Sequence, residues 1–456
     1  MKNMLIAAAV TAALYLPAGA FAANSPDDLA QIREQLRGLV QRVDKLEQEN
    51  SALKVENEQL KSEGDYLKAE TKGLRKDTAT LQSDTAKVKG TDWASRIVAK
   101  GDLRYRHEQI SDPTRRTGPG FDEDQTRQRI RARLGFDAKV TDNITVGLQV
   151  ATGGDDPRSS NQTLGGSSSR KSIGFDLAYF DWKFNDWGHL VGGKMKYPFV
   201  RPGQSLFYDG DINPEGLAVT FNSGMFFGSA YGFWIDERNN VAPASATGAT
   251  SCIATSGRCS DDVYVFGGQF GARVPVGGST LVAGIGYSDL QNGQGQRPFY
   301  NNDPNGNSLT ASGNLGGLKY DFNVIEGFVE YNTQLGTLPL QLWANYAQNQ
   351  DADDLDQAWT AGVLFGKASN PRTWELGFAY EVLEKDAIFG QFVDSDFNNG
   401  VTDGQGWLFR AAYAPQKNWS VNTTYFLNER NMDVANATFG RKTDYDRLQV
   451  DFNVKF

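Results

Sequence analysis

Arg127, Arg129, Arg131 and Arg133 occupy every second position of one short segment. On an extended strand, residues two apart share a face, so the four guanidiniums stand in one row. A guanidinium keeps its proton at all physiological pH, so such a row cannot perform acid–base or nucleophilic chemistry. It can hold a fixed positive field and draw anions along it. A second row precedes it, with Lys100, Asp102, Arg104 and Arg106 on one parity. Opposing charge is available at Asp209, Asp211, Glu326, Glu330, Glu375 and Glu381, and Arg410 is a further cation. Other chemistry finds little material, since the chain holds two His and two Cys. His107 and His189 lack companion ligands, and no segment marks a Ser–His pair. Gly165-Gly166 lacks the strand–helix context of a phosphate cradle. No enzyme, metal or cofactor is expected. Asp155-Asp156 and the acids at Asp351, Asp353, Asp354 and Asp356 read as solvated loop residues. The net charge of −9 argues against nucleic acid as a partner.

The elements that position these rows must separate a wet face from a greasy one. The last ten residues show how. Leu448, Val450, Phe452, Val454 and Phe456 alternate with Arg447, Gln449, Asp451, Asn453 and Lys455. One apolar face about ten residues long suits a lipid-facing barrel strand. From Trp93 onward the period is two. Sixteen such runs can be counted, from 97–109 to 443–456. The turns between them alternate short with long: 110–126, 153–171, 198–213, 238–260, 291–318, 386–404 and 431–442 are the long ones. Sorted loop lengths and an even strand count predict an all-β, transmembrane antiparallel β-barrel over 93–456, with both termini on the short-turn side. The mean hydropathy is −0.48, and no stretch after the N-terminus is apolar for long enough to cross a bilayer as a helix, which excludes a helical membrane protein but not a barrel. With Ile130, Ala132, Leu134 and Phe136 facing lipid, the arginine row must face the lumen, because an Arg toward lipid at the midplane costs about 2–4 kcal/mol. The segment 198–213 is expected to constrict the lumen, with Pro198, Pro202, Gly203 and Gly210 giving it a non-strand path. Its acids and the inward glutamates would then oppose the basic rows across a transverse field. Phe180, Phe328 and Trp343 are candidate inward aromatics.

Residues 1–22 read as a secretory signal, with Lys2, an apolar Met4–Leu16 stretch and Ala20-Phe21-Ala22 as the cleavage site. In the oxidising space beyond, Cys252 and Cys259 are expected to form one local disulfide. Residues 23–92 read as an α-helical coiled coil in the periplasm. Leu46, Leu53, Leu60, Leu67, Leu74 and Leu81 recur every seven residues. The other core position starts as Leu29, Leu36 and Val43 and turns polar at Asn50, Asn57, Gly64, Thr71, Thr78 and Thr85. Some 60 residues would make a rod of roughly 90 Å. A single amphipathic helix is the alternative. Asn at such positions favours two strands, and the seam alone leaves the strand count open.

Several segments resemble the putative porin family of Gram-negative outer-membrane β-barrel proteins. They are Trp93 followed by Gly101-Asp102-Leu103-Arg104-Tyr105-Arg106, the Arg127–Arg133 row, and Pro198–Gly203 continuing to Asp211-Ile212-Asn213-Pro214-Glu215-Gly216. The resemblance implies passive diffusion of small hydrophilic solutes across the cell outer membrane. It also implies a trimer, contact with lipid and lipopolysaccharide, and a terminal signal (Phe452, Val454, Phe456) read by barrel assembly machinery. A structural tether acting through the coiled coil, or a solute-specific anion or sugar channel, are the rival readings.

Overall fold

The computed structural model describes residues 26–89, 94–115, 124–203, 205–237, 261–301, 303–310, 316–436, 438 and 440–456. The chain divides into two compact units between Asp92 and Trp93. Cys252 and Cys259, and the signal segment 1–22, lie outside the described residues.

The first unit is one 64-residue helix, α1 (Pro26–Lys89). Its heptad leucines, from Leu39 to Leu81, form an exposed row, each more than half accessible. The polar positions of the seam satisfy themselves locally. Asn57, Thr71 and Thr78 donate to the carbonyls of Leu53, Leu67 and Leu74, one turn back.

The second unit is a single closed antiparallel barrel. Its strands run β1 (Ile97–Ser111), β2 (Asp124–Lys139), β3 (Ile144–Thr152), β4 (Gln162–Thr163), β5 (Ile173–Lys183), β6 (Gly188–Lys194), β7 (Glu215–Ser223) and β8 (Phe226–Asp236). They continue as β9 (Val263–Val276), β10 (Ser279–Gln291), β11 (Phe322–Leu335), β12 (Leu338–Asn349) and β13 (Gln357–Gly366). The last are β14 (Thr373–Leu383), β15 (Gly404–Gln416), β16 (Trp419–Arg430) and β17 (Thr443–Lys455). Sixteen long strands thus follow the expected runs to within a few residues. The seventeenth, β4, is a two-residue piece of the loop after β3. It pairs with β2 above the point where the shorter β3 has ended.

Closure is the β1–β17 pair, with Asp102 opposite Lys455, Arg104 opposite Asn453 and Arg106 opposite Asp451. Phe456 completes it, exchanging two backbone hydrogen bonds of 3.0 Å with Gly101. The outer face follows the alternation. Trp374, Leu376, Phe378 and Trp407 are exposed, while Glu375, Ala379 and Glu381 between them are buried. Rings gather on that face, as in Trp359–Tyr380–Trp407 with centroids 5.6 and 4.9 Å apart. Phe328 and Trp343 point inward and are buried. Phe180 corrects its expectation. It shares the outward parity of Trp182, and the inward positions belong to Tyr179, which bonds Asp137, and Asp181, which bonds His189.

Candidate functional site: a lumen split into a packed half and a basic half

The chain leaves β6 at Lys194 and rejoins the wall only at Glu215. Between them it crosses the lumen and is fastened to the far wall by polar side chains that alternation points inward. Gln269 on β9 both donates to and accepts from the Val200 backbone, at 2.9 and 2.8 Å. Glu330 on β11 accepts from Gly203 N at 3.0 Å, and Glu381 on β14 accepts from Leu206 N at 3.1 Å. Asn345 on β12 donates to Ser205 Oγ at 3.1 Å and to Glu326 Oε1 at 2.8 Å. A second segment, 384–403, joins it, with Asp209 N donating to Phe392 O and Asp394 N to Leu206 O. Together they bring Phe207, Ile388, Phe389, Val393 and Phe397 against Phe233, Val265, Leu290, Phe322, Val324 and Trp343 of the strands. That cluster turns the β8–β14 side of the barrel into a packed apolar core.

Open space remains on the other side. A cavity of about 720 Å³ is lined by Arg104, Arg106, Arg131, Arg133, Lys196, Arg201, Arg410 and Lys455 against Asp394, Asp396 and Asp451. A second, of about 360 Å³, carries Arg127, Arg129, Arg158 and Arg447 against Asp156 and Asp303. A third, of about 470 Å³, lies beyond the inserted segment. Its charge is opposite, with Asp155, Asp156, Asp176, Asp211, Glu215 and Asp236 facing Lys194 among aromatic rings.

The basic wall follows from register. Pairing of β1 with β2 sets Asp102 beside Arg133, Arg104 beside Arg131, Arg106 beside Arg129 and Glu108 beside Arg127. Like-charged pairs across a ladder repel, so each arginine is held by a carboxylate directly opposite or one step along. Asp102 accepts from Arg131 at 2.9 Å and Arg133 at 2.7 Å. Asp451 accepts from Arg106 through both oxygens, at 2.7 and 2.8 Å. Glu108, fully buried, takes Arg127, Arg447 and Gln449. Loops supply the rest. Asp211 lies 3.6 Å from Arg131 and 3.9 Å from Arg133. Asn161 accepts from Arg104 at 2.6 Å, and Ser159 from Arg129 at 3.2 Å. Burial raises the Asp211 carboxyl, but Arg131 and Arg104 outweigh it and hold the group below the usual carboxylate range.

The charged residues singled out from sequence therefore separate into two sets. Arg104, Arg106, Arg127, Arg129, Arg131, Arg133 and Asp211 come together on one wall, with Lys100 at its edge, 2.5 Å from Asp137. Glu375 and Arg410 pair with each other at 3.1 Å. Glu326, Glu330 and Glu381 do point inward, yet they accept hydrogen bonds from the inserted segment and its neighbours instead of forming a bare acidic wall. Asp209 faces away from the arginines and accepts from the backbone of Asp211 and Ser395, both at 2.8 Å. Burial, then Asp394 and Asp211, push its carboxyl well above the usual range. Sequence reasoning passed over Glu108 and Asp396. Glu108 was readable, being two residues beyond Arg106 on the same parity. Asp396 sits in an aperiodic loop and carries no such signal.

The sequence pattern of a family described as "Putative porin" matches residues 112–312 and 318–456. Among solved structures, the chain is similar to OprB of Pseudomonas putida, at 13% identity, over 78% of this chain and 94% of that one, with a TM-score of 0.48. It is also similar to the trimer form of OmpT, an outer-membrane protein of Vibrio cholerae, at 12% identity, 79% and 99% coverage and a TM-score of 0.42. OpdQ of Pseudomonas aeruginosa is similar at 12% identity, 79% and 97% coverage and 0.41. No curated protein matches the chain.

Proposed function

We propose that this chain, which belongs to the putative porin family, passes small hydrophilic solutes along its basic wall with a preference for anions. The observation that carries this reading is the 720 Å³ cavity, where eight cationic side chains meet three carboxylates. A field of that sign in a confined passage raises the local concentration of anions and lowers that of cations. The route is eccentric, because the apolar core occupies the β8–β14 side. Arg104, Arg106, Arg127, Arg129, Arg131, Arg133 and Arg410 line it in this proposal, with Lys100 at its mouth. No catalytic role is assigned to any of them. Replacing both Arg131 and Arg133 with Gln should lower the anion-to-cation permeability ratio roughly three- to tenfold, since two charges leave the wall of a narrow path. Reversal potential across a potassium chloride gradient measures it. A ratio unchanged by the double substitution would sink the anion preference.

A second reading rests on α1. Its exposed leucine row needs partner helices, and further copies of the same chain would bury it as a coiled coil. We assign this segment to the periplasm, after removal of residues 1–22, with a trimer as the expected assembly. Lipid, lipopolysaccharide and, through Phe452, Val454 and Phe456, the barrel assembly machinery complete the proposed partners. Deleting residues 24–90 should leave conductance intact and lower the temperature at which oligomers dissociate. An envelope that detaches and blebs after the same deletion would favour a tether as the main role. Oligomers of undiminished stability would remove the helix from assembly.

A further inference from the structure

We propose that Asp396 is a built-in competitor for permeant anions: it occupies, from a loop, a subsite at Arg106 and Arg447 fit for a small carboxylate. The inference rests on the channel reading above and names its solute class. The strands alone leave the wall positively charged. Arg104, Arg106, Arg127, Arg129, Arg131, Arg133 and Arg447 belong to β1, β2 and β17, and so do the carboxylates Asp102, Glu108 and Asp451. Seven guanidiniums thus face three acids of their own strands. The loops bring more, and Asp211 and Asp396 are the two that reach these arginines within 4 Å.

The geometry at Asp396 is that of a bound ligand. One carboxylate oxygen accepts from Arg106 Nη1 at 3.1 Å, and the other lies 2.6 Å from Arg447 Nη2 as an ion pair. Each arginine already has a partner from the wall, Asp451 for Arg106 and Glu108 for Arg447. Asp396 is therefore a second carboxylate for each arginine, supplied from a loop instead of from the wall. A free carboxylate would make the same two contacts, since charge-assisted pairs of this kind are set by the carboxylate alone. Position adds to the argument. Arg106 lines the 720 Å³ cavity, as does Asp396, and Arg447 lines the 360 Å³ cavity. The subsite thus stands where the two basic spaces meet.

The tether is a turn held at both ends. Phe397 and Val393 are buried in the apolar core, and Asp394 accepts from the backbone of Asp396 at 2.9 Å. Beyond the turn, Asn398, Asn399 and Gly400 follow one another at φ of 49°, 60° and 76°. Burial raises the Asp396 carboxyl, but Arg447 and Arg106 more than reverse that and keep it ionised throughout the neutral range. The loop thus presents a permanent anion at a fixed place. A permeating carboxylate must exchange with it, which weakens binding there and keeps passage fast.

The test uses the full-length protein in planar bilayers, with chloride and acetate as probes. Asp396→Asn should raise the anion-to-cation permeability ratio roughly two- to fivefold, and acetate should then slow the chloride current at lower concentration than in the wild type. Asp396→Glu, which restores the charge, should return both readings toward wild type. If Asp396→Asn does not insert, Asp396→Ser serves the same comparison. Wild-type selectivity in the neutral variant overturns the proposal. So do equal shifts in the neutral and Glu variants, because loop packing would then be the cause. A selectivity shift without any change in acetate block reduces Asp396 to a local charge and removes the carboxylate subsite. A wild-type protein that opens no conductance overturns the channel reading itself, and this inference with it.

Discussion

Glu108→Gln should destabilise the barrel by on the order of 3 kcal/mol, the usual cost of removing one partner from a buried ion pair. Glu108 lies on β1, and its oxygens reach both neighbouring strands. Oε2 accepts from Arg127 on β2, while Oε1 accepts from Nε of Arg447 on β17 at 2.7 Å and from Gln449 at 3.0 Å. The carboxylate has no exposure, and the Arg447 side chain has 1%. The amide would match the shape but replace an anion with a neutral group. Its NH₂ would also be turned toward donors that it cannot accept from. Arg127 would be left beside Arg129 with no carboxylate between them. Because β17, β1 and β2 form the closing seam, the loss falls where the ring joins. The midpoint of thermal unfolding in detergent, followed by sheet circular dichroism, gives the measurement. A comparison variant, Glu215→Gln, removes the exposed partner of Lys194 and should cost less than about 1 kcal/mol. Equal effects from the two would mean that burial does not set the value of these pairs.

Gly203→Val should raise single-channel conductance, roughly twofold or more, by unseating the segment that fills the far side of the lumen. Gly203 has φ of +52°, where a β-branched residue is strained. A Cβ built there would sit 2.1–2.5 Å from the ring of Trp343. Trp343 is itself 3% exposed and packed into the core cluster, so it has nowhere to go. The backbone at Gly203 must move instead. That movement strips the hydrogen bond to Glu330 and loosens the neighbouring ties to Asn345 and Glu381. Conductance and the size limit for sugars in liposome swelling should rise together. Wild-type values for both would show that the segment seats without this contact.

Much of the wall was legible in the chain. A period of two places every second residue on one face, so the arginine row, the row from Lys100 to Arg106 and the edge formed by Arg447 and Asp451 could all be assigned an inward direction. The same parity turned Glu326, Glu330, Glu375 and Glu381 inward. Their partners were not legible. Three of them bind a segment whose path depends on where β9, β11, β12 and β14 stand around the ring. Neither Pro198 nor Gly203 encodes that distance locally. Phe180 shows the limit of reading aromatic type instead of parity, since a ring is equally at home against lipid and in a core.

What the sequence by itself determined is the wall: strand number, loop sorting, the closing strand and the direction of each charged row. All of these follow from short-range alternation and from the cost of placing charge against lipid. What only the tertiary structure decided is the content of the barrel. Residues 195–214 and 384–403 have no period, and their positions come from contacts made across the ring by side chains far apart in the chain. Those contacts fill one side of the lumen with apolar side chains, leave basic space along β1, β2 and β17 and set Asp396 between Arg106 and Arg447.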